Sequence, residues 1–251
     1  MVEFFIAFRH VVERKFQSIF SVLGVAIAVT VFIVSLTVSN GLEKNMINSL
    51  LTMSPHILIK NKQNPFFEGY EETAEKLKKI KGVKAVIPQI NSQSIIKFEG
   101  YAKGVLADGI SPENVKNGLK LKMVRGSDNI SELDSVLIGE EMAGELRVKV
   151  GQQVSLISAE NKEIKLTVRG IFKTGFLEYD SNVAVVPLRA MQILAEQGEA
   201  VTEMDIKVES PQKVEEVLKE VITVMNQKEY TVISWKTLNH NLLKPVQFEK
   251  F

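Results

Sequence analysis

From Phe16 to Leu42 the chain carries no charged residue, and Lys15 and Glu43 bound the run on either side. As a helix, at a rise of 1.5 Å per residue, the run is about 40 Å long, more than the ~30 Å hydrocarbon core of a bilayer requires. One membrane span is therefore expected. Arg9, Arg14 and Lys15 lie just before it, whereas only Lys44 lies within a comparable distance after it. That bias puts the N-terminus in the cytoplasm and the large remainder outside it. A signal peptide is the rival reading, because Thr37-Val38-Ser39 offers small residues of the type a peptidase cleaves. The apolar region of a signal peptide is only ~7–15 residues long, however. Here apolar residues continue at helical spacing through Leu42, Met46, Ile47, Leu50 and Leu51, which favours an uncleaved anchor.

Within the run, Ser21, Gly24 and Ala28 form a small-residue stripe, with Ala26 and Thr30 nearby. Small side chains let a second helix approach, since packing drives helix association in lipid. Before the run, Phe4, Phe5, Phe8, Val11 and Val12 alternate with Arg9, Glu13 and Arg14 at helical spacing. They read either as an amphipathic helix on the inner leaflet or as an extension of the span.

Roughly two hundred residues remain outside the membrane, enough for one large or two small domains. Net charge is +1 and there is no cysteine, so a nucleic-acid footprint, a disulfide framework and thiolate chemistry are excluded. The helix is expected to stop before Pro55. HILIK then reads as a strand, EETAEKLKKIKG as a helix closed by Gly82, and the segment from Val83 to Gly100 as extended. The same order returns with MDIKVES, a helix opened by Pro211, and YTVISW. The fold class expected is α+β: one transmembrane helix followed by two β-α-β units in a ferredoxin-like layer. The middle, about Tyr101 to Leu194, reads mostly as strands, with a tight hairpin tip at Ala159-Glu160-Asn161-Lys162.

Catalytic motifs are largely missing. There is no GxxxxGK[ST] loop, no GxGxxG and no GxSxG elbow, and His10, His56 and His240 lack ligand spacing. Neither a cofactor nor a metal is expected, and any ATP used is hydrolysed by another chain. Glu178 and Asp180, two apart on an expected strand, read as a solvated edge rather than a catalytic pair. Asn129-Ile130-Ser131 matches a glycosylation acceptor, which has no meaning in a bacterial protein.

The opening FIAFRHVVERK, the stretch from Ser18 to Ile57 with Asn40-Gly41 and Ser54-Pro55-His56, and the phrases GVKAVIPQ, GVLADGISPE, LIGEEMAGELRVKVGQQVSLI and GFLEYDSNVAVVPL resemble the LolC/LolE family of lipoprotein-releasing ABC transporter permeases. The GFLEYDS phrase favours this branch over MacB efflux or FtsX proteins. The resemblance implies an inner-membrane permease with a periplasmic α/β "porter" and an inserted β-rich "sabre". It divides the chain into a cytoplasmic helix (1–15), the span and its extension (16–53), porter (54–100), sabre (101–200), porter again (201–235) and the approach to a second span (236–251). Family members carry three further spans, so a fragment is expected.

The resemblance also implies partners: a cytoplasmic LolD-like ATPase, a second permease subunit of the same or a different kind, acylated lipoproteins and a periplasmic LolA-like carrier. No chemistry is done on the substrate, so no catalytic residue is expected. Val31, Ile33, Val34 and Leu36 would touch acyl chains, and Asn40 would either bond the lipidated N-terminus or cap a kink. Glu178, Tyr179 and Asp180 would contact the carrier or a partner. The short turn between SLIS and EIKLTV departs from the long carrier hook of LolC and makes the chain more LolE-like, or a subunit of a system with a different handover. A MacB-like efflux subunit and an FtsX-like anchored regulator are the alternatives.

Overall fold

A computed structural model describes residues 9, 14–119, 121–226 and 228–240. The uncharged run lies in one unbroken helix, α1 (Lys15–Met53), 39 residues long. Its apolar side chains from Phe16 to Leu42 are exposed all round, as suits a helix whose surroundings are lipid. Among the described residues it is the one helix long and apolar enough to cross a membrane. Inside the run, the hydroxyls of Ser21, Thr30 and Thr37 donate back to the carbonyls of Gln17, Ala26 and Ile33 at 3.0, 2.7 and 2.8 Å. No hydroxyl of that set is left without an acceptor where water is absent. The amphipathic segment expected at 1–15 lies outside the described residues apart from Arg9, Arg14 and Lys15, as does 241–251 of the expected approach to a second span.

From Asn48 onward the chain forms its own compact unit. Its first elements are β1 (Ile57–Asn61), α2 (Tyr70–Lys78), β2 (Val83–Phe98), β3 (Tyr101–Ile110), α3 (Pro112–Gly118), β4 (Lys122–Gly126), β5 (Ser135–Gly139) and α4 (Glu140–Leu146). They are followed by β6 (Gln153–Ser158), β7 (Glu163–Lys173), α5 (Leu177–Asn182), β8 (Val183–Pro187), α6 (Leu188–Ala195), β9 (Glu203–Val208), a 3-10 turn (Pro211–Lys213), α7 (Val214–Val224), β10 (Tyr230–Ser234) and α8 (Trp235–Leu238). Pro211 therefore opens a 3-10 turn, and the α-helix expected there begins only at Val214.

All the strands join one ten-stranded sheet, ordered β10-β1-β9-β2-β3-β8-β5-β7-β4, with β6 set on β2 and β7. The run β10-β1-β9-β2 is antiparallel throughout, and α2 and α7 connect its strands, which is the ferredoxin-like layer expected from the sequence. Helix α2 carries Glu71 and Glu72 in its first turn and Lys76 and Lys78 in its last, matching its dipole, and buries Ala74 and Leu77. Helix α7 buries Val214 and Val221, two turns apart.

The remaining strands continue the same sheet, because the 16-residue β2 serves both halves. Its first part pairs with β9 from Val83↔Val208 to Gln89↔Glu203, and its second with β3 from Gln89↔Ile110 to Phe98↔Tyr101. The boundary expected between residues 100 and 101 thus falls at a hairpin turn. Glu99 and Gly100 form that turn with φ of 43° and 87°, the left-handed pair a two-residue hairpin needs to follow the strand twist. The β6–β7 hairpin turns at Ala159–Lys162, where Ser158 N–H bonds Lys162 O at 2.9 Å.

The middle is less purely stranded than the sequence suggests, since α3 to α6 interrupt it. Each has eight residues or fewer, too short for a helical period to stand out. One core, with Ile90, Ile96, Met142, Leu156, Val168 and Met191, lies around β2, β6, β7, α4 and α6. Another, with Ile87, Ile110, Val115, Phe172 and Val185, includes α3 and receives Tyr179. Ile87 and Ile90 fall in different cores because successive side chains of a strand alternate between faces.

Candidate functional site

The span residues singled out from the sequence divide between two sides of α1. At about 100° per residue, Ser21, Gly24 and Ala28 share a sector of about 60°, and Val31 and Val34 lie nearer that sector, whereas Ile33, Leu36 and Asn40 share a different sector of similar width. All of Val31, Ile33, Val34, Leu36 and Asn40 are exposed. Helix α1 continues through Asn40 to Met53. A Cβ placed on Gly24 meets nothing within 4 Å among the described residues, so the small-residue sector is open to a neighbouring helix.

The GFLEYDS phrase is a short helix, where the sequence suggests a strand, and this changes the direction of its side chains. Glu178 and Asp180, two apart on a helix, are about 200° apart instead of sharing a face. Asp180 is only 3% exposed. Its carboxylate accepts from the backbone N–H of Thr174 at 2.7 Å, that of Gly175 at 3.1 Å, and the Thr174 hydroxyl at 2.8 Å. The ring of Tyr179 lies 6.4 Å from that of Phe172, and its hydroxyl donates to Asp108 Oδ2 at 3.2 Å. Tyr179 and Asp180 therefore hold the loop to the sheet, at the place where the sequence reading expects contact with a carrier or partner. Glu178 remains exposed beside Leu177, which is 67% exposed.

Tyr179 leads into a row of buried polar groups. On β9, Glu203, Asp205 and Lys207 alternate with Met204, Ile206 and Val208, so each set occupies one face, and both faces are buried. Gln89 Nε2 donates to Glu203 Oε1 at 2.6 Å and to Asp205 Oδ2 at 3.1 Å, and Lys60 pairs with Glu203 at 2.8 Å. Asn91 Nδ2 donates to Asp108 Oδ1 at 2.7 Å. Burial, and next the charge of Glu203, raise the Asp108 pKa to about 7 and that of Asp205 well above the usual carboxylate range. Asp205 Oδ1 has no hydrogen-bond partner among the described residues, a position less costly for a neutral carboxyl than for a carboxylate.

At the other end of β9 the row meets the last turn of α1. The final carbonyls of a helix have no partner within it. Lys207 Nζ donates to Ser54 O at 2.8 Å and Leu51 O at 3.5 Å. A cation at a helix C-terminus is also favoured by the dipole. His56 adds a second tie. Its Nδ1 accepts from Val208 N–H at 2.8 Å, which leaves the proton on Nε2 to be donated to Leu51 O at 2.9 Å. Its backbone N–H bonds Ile206 O at 3.0 Å and its carbonyl accepts from Trp235 N–H at 2.9 Å. Burial, and next the charge of Lys207, lower the His56 pKa to about 4, so the neutral ring this pairing requires is the form present at neutral pH. Burial lowers Lys207 to about 8 against the opposing pull of Asp205.

Sequence reasoning missed this arrangement. His56 lacks metal-ligand spacing and stood out only as part of Ser54-Pro55-His56, and the acids of MDIKVES gave a polar alternation normally turned to water. The nearest sequence signal is that a strand of alternating charges lies in a chain where both sheet faces have covering helices. An open groove of about 540 Å³, lined by Gln93, Ser94, Ile95, Ile157, Asn161 and Asn182 among others, holds no acid or base in its wall.

A membrane-type helix leading into a mixed sheet with a ferredoxin-like half defines the class, and comparison with known proteins narrows it. Residues 18–224 match the MacB-like periplasmic core domain, and the chain belongs to that family. Its relatives include the lipoprotein-releasing system transmembrane protein LolC of Neisseria meningitidis, 26% identical over 249 residues, covering 94% of this chain and 60% of that protein. LolC of Xylella fastidiosa is 28% identical, covering 94% and 59%. LolE of Haemophilus influenzae is 25% identical over 207 residues, covering 76% and 50%. The LolC/LolE resemblance drawn from the sequence is thereby supported, and the chain spans about 60% of the length of the LolC relatives.

Among solved structures, the extracellular domain of the noncanonic ABC-type transporter YknZ from Gram-positive bacteria superimposes with a TM-score of 0.51 at 18% identity, covering 71% of this chain and 99% of that one. The periplasmic region of MacB from Actinobacillus actinomycetemcomitans gives 0.51 at 14% identity, covering 79% and 97%. These two likenesses establish the fold.

Proposed function

We propose that this chain is the first span and periplasmic domain of a permease subunit that releases acylated lipoproteins from the inner membrane, with its domain acting as a lever. The observation that carries the reading is the match to LolC- and LolE-named proteins along 94% and 76% of the chain. The exposed apolar helix and the absence of a nucleotide-binding loop support it. The subunit itself is non-catalytic. Its partners are a LolD-like ATPase on the cytoplasmic side, a second permease, the lipoproteins and a LolA-like carrier. The N-terminus is cytoplasmic and the domain periplasmic.

Ser21, Gly24 and Ala28 pack against a neighbouring helix in this reading, and the Ile33, Leu36 and Asn40 sector faces the lipoprotein's acyl chains and linker. The β6–β7 turn at Ala159–Lys162 is too short to hook a carrier, so handover uses another surface of the complex. Exposed Glu178 is the part of the GFLEYDS loop left to meet a partner.

Depleting the full-length protein in its bacterium tests the assignment. Lipoproteins destined for the outer membrane should accumulate in the inner-membrane fraction. Normal lipoprotein sorting together with increased sensitivity to exported drugs or peptides would instead support the MacB-like efflux alternative.

A further inference from the structure

We infer that His56 and Lys207 form a clamp that locks the last turn of α1 to strand β9, and that this clamp is the joint through which movement of the helix reaches the domain. The inference rests on the permease reading above and adds the positioning residues that make a lever effective.

The geometry singles out these side chains. A helix that only leads into a domain leaves its final carbonyls to water or to a local cap. Here Leu51 O and Ser54 O are instead taken by side chains from beyond the helix, the imidazole of His56 and the amine of Lys207. Both side chains are buried, so breaking either tie leaves polar groups stranded out of contact with water. His56 is used on all sides: its ring joins Leu51 O to Val208 N–H, while its backbone joins Ile206 O to Trp235 N–H. The ring spans from the helix end to β9 as a rigid plane, which a flexible side chain would not do.

Strand β9 is the right receiver. It lies between β1 and β2 in the sheet, and β2 continues into the sabre half. A displacement of the Leu51 carbonyl is therefore passed to a strand in the interior of the sheet and not to a loop. A buried lysine is expensive unless its N–H groups find acceptors, and the carbonyls of Leu51 and Ser54 supply them. The helix end and Lys207 are thereby linked. Loss of the clamp should free the last turn of α1 from β9 while the sheet stays folded.

The test uses the full-length permease with its ATPase and partner subunit in proteoliposomes, loaded with a triacylated lipoprotein and supplied with soluble carrier. His56→Gln and Lys207→Met are compared with wild type for lipoprotein released per ATP hydrolysed. Both variants should keep ATP hydrolysis but lose release per ATP by about tenfold, on the order of the factor that one buried hydrogen bond is worth. Release per ATP equal to wild type in both variants overturns the clamp. No ATP-dependent release from wild type contradicts the permease reading and leaves the clamp to the second measurement. That measurement is amide hydrogen exchange in the wild-type complex, and it also decides the matter where a variant does not fold. The Val208 amide, bonded to the His56 ring, should exchange as slowly as its neighbours in β9. Exchange there as fast as at an exposed turn amide such as Lys228 overturns the inference.

Discussion

The Asp180 carboxylate accepts backbone hydrogen bonds from Thr174 and Gly175 at 2.7 and 3.1 Å in a site water barely reaches, so removing it strands both donors. Asp180→Ala should cost about 1–3 kcal/mol for each stranded donor, read as a lowered thermal midpoint of the detergent-solubilised protein. Asp180→Asn keeps an acceptor oxygen and should lose clearly less. Equal losses would show that the carboxylate does not hold the turn. His56 gives a second residue-scale prediction through its titration. Its pKa is about 4 in the fold against 6.5 ordinarily, so the stability that the neutral ring contributes is fully present above pH 6.5 and is lost as pH falls toward about 4. Asp108 runs the other way: its pKa is raised from 3.8 to about 7, so its contribution is present below 3.8 and lost as pH rises through about 7. The stability difference between wild type and His56→Gln, which cancels the Asp108 effect, should shrink as pH is lowered from 6.5 to 4. A difference constant over that range would place the His56 ring elsewhere than between Leu51 O and Val208 N–H.

At the scale of elements, the packing of α5 against β5 depends on Gly139. A Cβ there would lie 2.0 Å from the backbone oxygen of Asp180, closer than any side chain can sit. Gly139→Ala should push α5 off the sheet, cost at least about 1–3 kcal/mol, and weaken the Tyr179–Asp108 hydrogen bond, which the Tyr179 hydroxyl resonance or its hydrogen exchange would report. Unchanged stability would mean that α5 is not seated as described. The long elements were readable in advance because their patterns are long: α1 from its uncharged run, α2 and α7 from helical spacing, and the ferredoxin-like half from repeated strand-helix-strand order. The short helices α3 to α6 were not, since a turn or two of helix offers no period. Leu177 to Asn182 shows the consequence. Taken as a strand, it put Glu178 and Asp180 on one exposed edge, whereas in a helix Asp180 and Tyr179 turn inward. Lys207 and His56 escaped notice for a different reason: they are bound to carbonyls of residues close to the helix end, and carbonyl partners leave no trace in side-chain identity.

At the scale of the whole molecule, the helix is long and apolar enough to cross a membrane, its last turn is bonded to strand β9 of the ferredoxin-like half, and the long strand β2 carries the sheet onward into the other half. The family match places this architecture with the MacB-like periplasmic core domain, and relatives of the chain are named for lipoprotein release. In the permease reading proposed above, the force comes from a separate ATPase. The most direct measurement is therefore transfer of a labelled triacylated lipoprotein from proteoliposomes holding the full-length permease, its partner subunit and its ATPase to a soluble carrier. Appearance of the lipoprotein in the soluble fraction with ATP, and its retention without ATP, is the result the account predicts. Retention with ATP, together with ATP hydrolysis stimulated by a drug or peptide and not by lipoprotein, would contradict it.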